Sequence, residues 1–130
     1  MTTGQELLEH VQRLGRDLDV PVWTCLNCKT VGGEAVEVDG ARYITVSQIP
    51  DTVIPYQIAL HELGHHADPA GFKGLRLDRE AWAWRWALEH ALIDLDWTDL
   101  YTRLTSYIAD RRFKRTPDFD RLVAEAERNL

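Results

Sequence analysis

Cysteine is scarce: Cys25 and Cys28 are the two among 130 residues. Two thiols so close in sequence cannot frame a small secreted domain, so a disulfide scaffold is excluded. One C-x-x-C without a second pair is also only half of a structural zinc site. The Lys29-Thr30-Val31 that follows reads as extended, where a thioredoxin-like redox site wants a helix. The pair is therefore expected to be a reduced turn between strands. No apolar run approaches the roughly 20 residues of a membrane span. The N-terminus (MTTGQELLEHVQ) lacks the apolar centre of a signal peptide, and a soluble, cytoplasmic protein is expected. Excess positive charge is missing too. The 15 Lys and Arg face 21 Asp and Glu, for a formal charge of −6 at pH 7. That balance argues against a chain whose main work is gripping a nucleic-acid backbone. Repeats, low-complexity tracts and long linkers are lacking, so residues 1–130 read as a single domain. At this length a core can form without staples, and a hydrophobic fraction of 45% argues against global disorder.

The periodicity changes along the chain. Leu7, Leu8, Val11, Leu14 and Leu18 give residues 4–19 one apolar helical face, and Pro21 ends it. Val22-Trp23-Thr24, Thr30-Val31, Ala35–Val38 and Tyr43–Val46 are short runs rich in β-branched and aromatic residues. Gly32-Gly33 and Asp39-Gly40 supply turns between them. The pattern predicts a three-stranded antiparallel meander whose last strand is Arg42–Ser47. Residues 52–67 predict a helix with much of its circumference apolar, ended by Pro69 and Gly71. Asp78 is the expected cap of the next helix, which runs to about Asp94 and carries Trp82, Trp84 and Trp86. Asp96 or Thr98 starts another, and Pro117 a last short one. The basic cluster Arg111, Arg112, Lys114 and Arg115 reads as charge complementing the end of the fourth helix. The fold class is α+β: an N-terminal helix, a small sheet, a central helix, then three further helices.

The central helix carries His61-Glu62-Leu63-Gly64-His65, the H-E-x-x-H pattern. Positions four apart stack on one helical face, so both imidazoles can serve one tetrahedral zinc ion. Glu62 adjoins a ligand and can act as general base toward a metal-held water. A hydrolytic zinc needs a third protein ligand. Glu80 is the first candidate, because a nine-residue loop lets its helix fold back and Ala83 and Ala87 permit close packing. Gly64, in a helix interior, also implies a close neighbour. Asp68 is the second candidate, as a ligand or as the partner that orients one. His66 points about 100° away round the helix; His90 and His10 are weaker still. Tyr43, Tyr56, His66 and Arg85 are candidate donors to a developing oxyanion. The strand Arg42–Ser47, if it forms the sheet edge, could pair with an extended peptide.

With Ile58-Ala59-Leu60 before the motif and Glu80-Ala81-x-x-Trp84 after it, the chain resembles the small zincin-like metallopeptidases of the ImmA/IrrE type over roughly residues 1–95. The resemblance implies a zincin-like, gluzincin-type domain in which His61, His65 and Glu80 bind zinc and Glu62 is the catalytic base. It implies a bacterial or phage endopeptidase whose protein or peptide substrate could be a helix-turn-helix repressor. The spacing from His65 to Glu80 is shorter than that family's, and no apolar segment ending in Met-Pro follows the glutamate. The alternative function is a binding module that keeps its metal and sequesters a regulator with little or no proteolysis. A nucleic-acid-associated protease of the SprT-like kind fits less well, given the acidic balance and the lack of an obvious third histidine ligand after the motif.

Overall fold

The computed structural model describes residues 1–25 and 32–130. These form α1 (Gly4–Asp17), β1 (Val22–Thr24), β2 (Gly33–Val38), β3 (Ala41–Val46), α2 (Val53–Ala67), α3 (Arg76–His90), α4 (Trp97–Ile108) and α5 (Pro117–Arg128). The class is α+β, as expected.

Local chemistry fixes most boundaries. Thr3 and Glu6 close a capping box over the start of α1. Asp96 accepts from Asp99 N–H at the start of α4, and Thr116 caps α5 with Pro117 in its first turn. Asp39 and Gly40 both take left-handed backbone, with φ of 51° and 83°, which suits the tight turn joining β2 to β3. Two helix limits differ from expectation. α3 starts at Arg76, with Leu75 rather than Asp78 at its cap position, and ends at His90, short of Asp94. The earlier start buries Leu77 completely and draws Arg76 and Arg79 into the first turns. The basic cluster lies beyond the last turn of α4, where Arg112 pairs with Asp110 and Arg115 with Asp120.

The sheet corrects the predicted meander. Its order is β1-β3-β2, with β1 parallel and β2 antiparallel to β3. The middle place goes to β3 because Ile44 and Val46 are its most apolar inward pair, and both are buried. Arg42–Ser47 is thus no edge; among the described residues β1 and β2 are. Ser47 N–H donates to Gly32 C=O. Since an antiparallel ladder alternates, Gly33, Ala35 and Glu37 turn their backbone N–H and C=O groups to the free edge. Gly33 belongs to β2 rather than to a turn. The Thr30-Val31 run and Cys28 lie outside the described residues. Cys25 is disulfide-bonded, not the free thiol of a reduced turn.

Everything packs round α2. Residues Pro55 to His66 are all buried, against α1, β2, β3 and α3. A helix so enclosed has to satisfy its polar side chains internally. Gln57 does so by accepting from Asp96 N–H at 2.8 Å and donating to Asp99 at 2.6 Å, which anchors the start of α4. Tyr56 accepts from Leu92 N–H and meets His10 Nδ1 at 2.6 Å. At Gly64, a Cβ would stand 2.7 Å from Ala83 C=O, so α2 and α3 touch backbone to backbone. That contact brings their polar residues together.

Candidate metal centre

His61 and His65 lie on the face of α2 that meets α3, and Glu80 lies on the facing side of α3. One donor atom from each falls within 4.8 Å of the others. His61 Nε2 is 2.7 Å from one Glu80 oxygen, and His65 Nε2 is 3.4 Å from the other. The two imidazole Nε2 atoms are 3.1 Å apart. All three residues are buried. The indole of Trp84 stacks on His61, with ring centroids 4.1 Å apart and planes 13° from parallel, and so limits rotation of the imidazole.

Glu62 bonds the other nitrogen of His61, Nδ1, at 2.9 Å. A carboxylate at Nδ1 fixes the tautomer and leaves Nε2 free to donate its lone pair, the usual support for a metal-bound histidine. Neutral His61 would then aim that lone pair at a carboxylate oxygen 2.7 Å away. The three groups are stable together only if positive charge sits among them, as a proton or a metal ion. Burial works to lower the His61 pKa, but Glu62 and Glu80 outweigh it and raise it to about 9. Burial works to raise that of Glu80, and hydrogen bonds from His61 and His65 pull it well below the carboxylate range. Two imidazole nitrogens and a carboxylate are a donor set that suits zinc and other borderline divalent ions. These residues could therefore hold a metal ion.

The cluster opens into a cavity of about 480 Å³. It is lined by Gly33, Glu34 and Ala35 of the edge strand, by Phe72, and by Arg76, Arg79 and Tyr107. Gly33 is required there. A Cβ on it would lie 2.8 Å from Ile58 Cγ2 and 3.1 Å from Glu62 Cγ. Burial and then the charge of Glu80 push the Tyr107 hydroxyl pKa far up, so it stays a neutral donor.

Other expected residues fall elsewhere. Asp68 ends α2 and accepts from Ala70 N–H at 2.9 Å; it does not join the His61 group. His66 bonds Tyr43 C=O at 2.9 Å, and burial lowers its pKa. His90 is exposed and stacked on Trp86. Tyr43, Tyr56, His66 and Arg85 do not line the cavity; Arg85 pairs with Glu125 of α5. Sequence reasoning missed Arg76, Arg79 and Tyr107. The two arginines had a signal, since they lie four and one positions before Glu80. Tyr107 had none, because only the packing of α4 brings it near. The chain matches no family model, no curated protein and no solved structure.

Proposed function

We propose that this protein is a zinc-dependent endopeptidase. The observation that carries the reading is the buried His61–His65–Glu80 group, with Glu62 beside it, at the floor of a cavity walled by an unpaired strand edge. His61, His65 and Glu80 would hold the metal, and zinc bound there would polarise a carbonyl and activate water near neutral pH. Glu62 lines the cavity beside them and would serve as the general base. Gly33 and Ala35 offer backbone groups to an extended peptide, which adds to the sheet as a further strand. Tyr107 replaces the four donors expected from sequence as the group that hydrogen-bonds the developing oxyanion. The resemblance to the ImmA/IrrE type makes a helix-turn-helix repressor the first protein to try as substrate.

Two measurements test this. Purified protein should carry about one zinc per chain by elemental analysis. Glu62→Gln should keep that zinc yet cut a peptide substrate at least about 100-fold more slowly, the scale of general-base catalysis. A zinc-loaded Glu62→Gln protein of undiminished activity rules out the peptidase. Absence of cutting together with tight, zinc-dependent capture of the repressor would favour the sequestering module instead.

A further inference from the structure

The wall of the cavity holds more positive charge than the metal centre uses. Arg76 and Arg79 both open onto it from the first turns of α3. Arg76 Nε is 3.2 Å from Glu80, but that carboxylate already serves both histidines. Its guanidinium carbon lies 5.9 Å from the ring centre of Tyr107 and 5.4 Å from that of Phe113. Rings at that range hold the cation by their faces and leave N–H donors available. Arg79 is less committed. Among the described residues it makes no ion pair, and its Nε is buried without a hydrogen-bond partner. A guanidinium that lines a cavity without an ion partner lacks its counter-charge unless something else supplies one. The acids nearby do not: Glu62 and Glu80 are engaged with His61, and Glu34 of the edge strand is exposed and makes no ion pair with it.

We propose that Arg76 and Arg79 form a carboxylate-binding subsite beside the metal centre, selecting peptides that carry an acidic side chain or a free C-terminus close to the bond presented to Glu62. A guanidinium fork matches a carboxylate in geometry as well as charge. Arg79 is only part-exposed where it lines the cavity, so a carboxylate paired with it is favoured over a neutral isostere. The proposal rests on the peptidase reading for its substrate class, and concerns Arg79 first because Arg76 also touches a metal-binding residue.

The test uses the full chain, zinc-loaded and carrying Glu62→Gln to prevent turnover. Fluorescent alanine-rich octapeptides are compared by anisotropy: one Glu against one Gln at each position in turn, with amidated ends, and a free C-terminal acid against its amide. The Glu arm reports a side-chain carboxylate and the free-acid arm a terminal one. Acid peptides in at least one arm should bind about tenfold tighter than their neutral partners. Arg79→Gln should erase the preference, and Arg79→Lys should restore part of it. Zinc content and thermal melting confirm folding. Should Arg79→Gln fail to fold, Arg76→Gln and the comparison on unchanged arginines still decide. Equal binding of acid and neutral peptides overturns the proposal, as does a preference that survives Arg79→Gln, or no binding at millimolar peptide. Cleavage by protein with native Glu62 that ignores acidity would sink the subsite alone; an acid preference without any cleavage would sink only the peptidase.

Discussion

At the scale of single residues, His61 is held by one carboxylate on each nitrogen, Glu62 on Nδ1 and Glu80 on Nε2. The two should behave differently when altered. Glu62→Gln keeps an acceptor oxygen for Nδ1–H, so its loss of metal affinity should stay at or below about 10-fold, the low end for a supporting partner, and the protein still carries its zinc. Glu80→Gln removes a ligand outright and should cost more than that, whereas Asp68→Asn, which touches only Ala70 N–H, should leave affinity unchanged. Competition with a chromophoric chelator measures both; equal losses from the two would refute the ligand set. His10 supports a separate, pH-dependent expectation. His10 is buried, with its Nδ1 2.6 Å from the Tyr56 hydroxyl, which also accepts from Leu92 N–H. Burial, with Arg13 and His90, lowers the His10 pKa. A histidine whose folded pKa is depressed contributes stability above its unfolded value, near pH 6.5, and that contribution is lost as pH falls through and below it. Thermal melts at pH 8 and pH 5 should therefore differ less for His10→Gln than for the unaltered protein.

At the scale of elements, the seam between α2 and α3 sets the metal centre. Gly64 meets the backbone of Ala83, with a Cβ placed 3.0 Å from its Cα and 3.2 Å from its carbonyl carbon. Gly64→Ala must push the helices apart. Overpacking of this kind costs about 1–3 kcal/mol, and it should weaken zinc binding as well, because Glu80 rides on the displaced helix. Adding Ala83→Gly should not rescue either property, since the obstacle is backbone; recovery in the double variant, by urea unfolding and zinc titration, would contradict this. This seam was legible in the sequence: a glycine inside an apolar helix and alanines after Glu80 announce close approach. The sheet was legible only in part. Alternation marks β2 and β3 as strands, and Asp39-Gly40 marks their turn. Which strand takes the middle is decided by where Ile44 and Val46 find cover, and local pattern does not carry that. Helix ends show the same limit. Asp78 looks like a cap, yet burying Leu77 outweighs a capping hydrogen bond and moves the start of α3 to Arg76. Arg76 and Arg79 stand four and one positions before Glu80, but that they line its cavity depends on where α3 begins; Tyr107 depends instead on α4 docking from far along the chain.

At the scale of the whole molecule, the question is whether the metal builds the fold or is built in by it. The core that surrounds α2 runs from Leu7 and Val11 of α1 through Ile44 and Val46 of β3 to Trp84, Leu104 and Phe119. It does not pass through the histidines, and without metal a protonated His61 between Glu62 and Glu80, with Arg76 on Glu80, balances the charge there. A chain of 130 residues with such a core should stay folded when its metal is removed, unlike small zinc domains that unfold with chelator. Metal should still add stability by mass action: free zinc at 100 times its dissociation constant contributes about 2.7 kcal/mol. For a domain of this size that corresponds to roughly 10 °C in melting temperature. Calorimetry before and after dialysis against EDTA should show two cooperative transitions separated by about that much, with far-UV circular dichroism nearly unchanged at 25 °C. Glu80→Gln should melt near the metal-free value whether or not zinc is present. Loss of helical signal on chelation would mean that the His61–His65–Glu80 group is a structural staple, and an identical melting temperature with and without excess zinc would mean that it binds no metal.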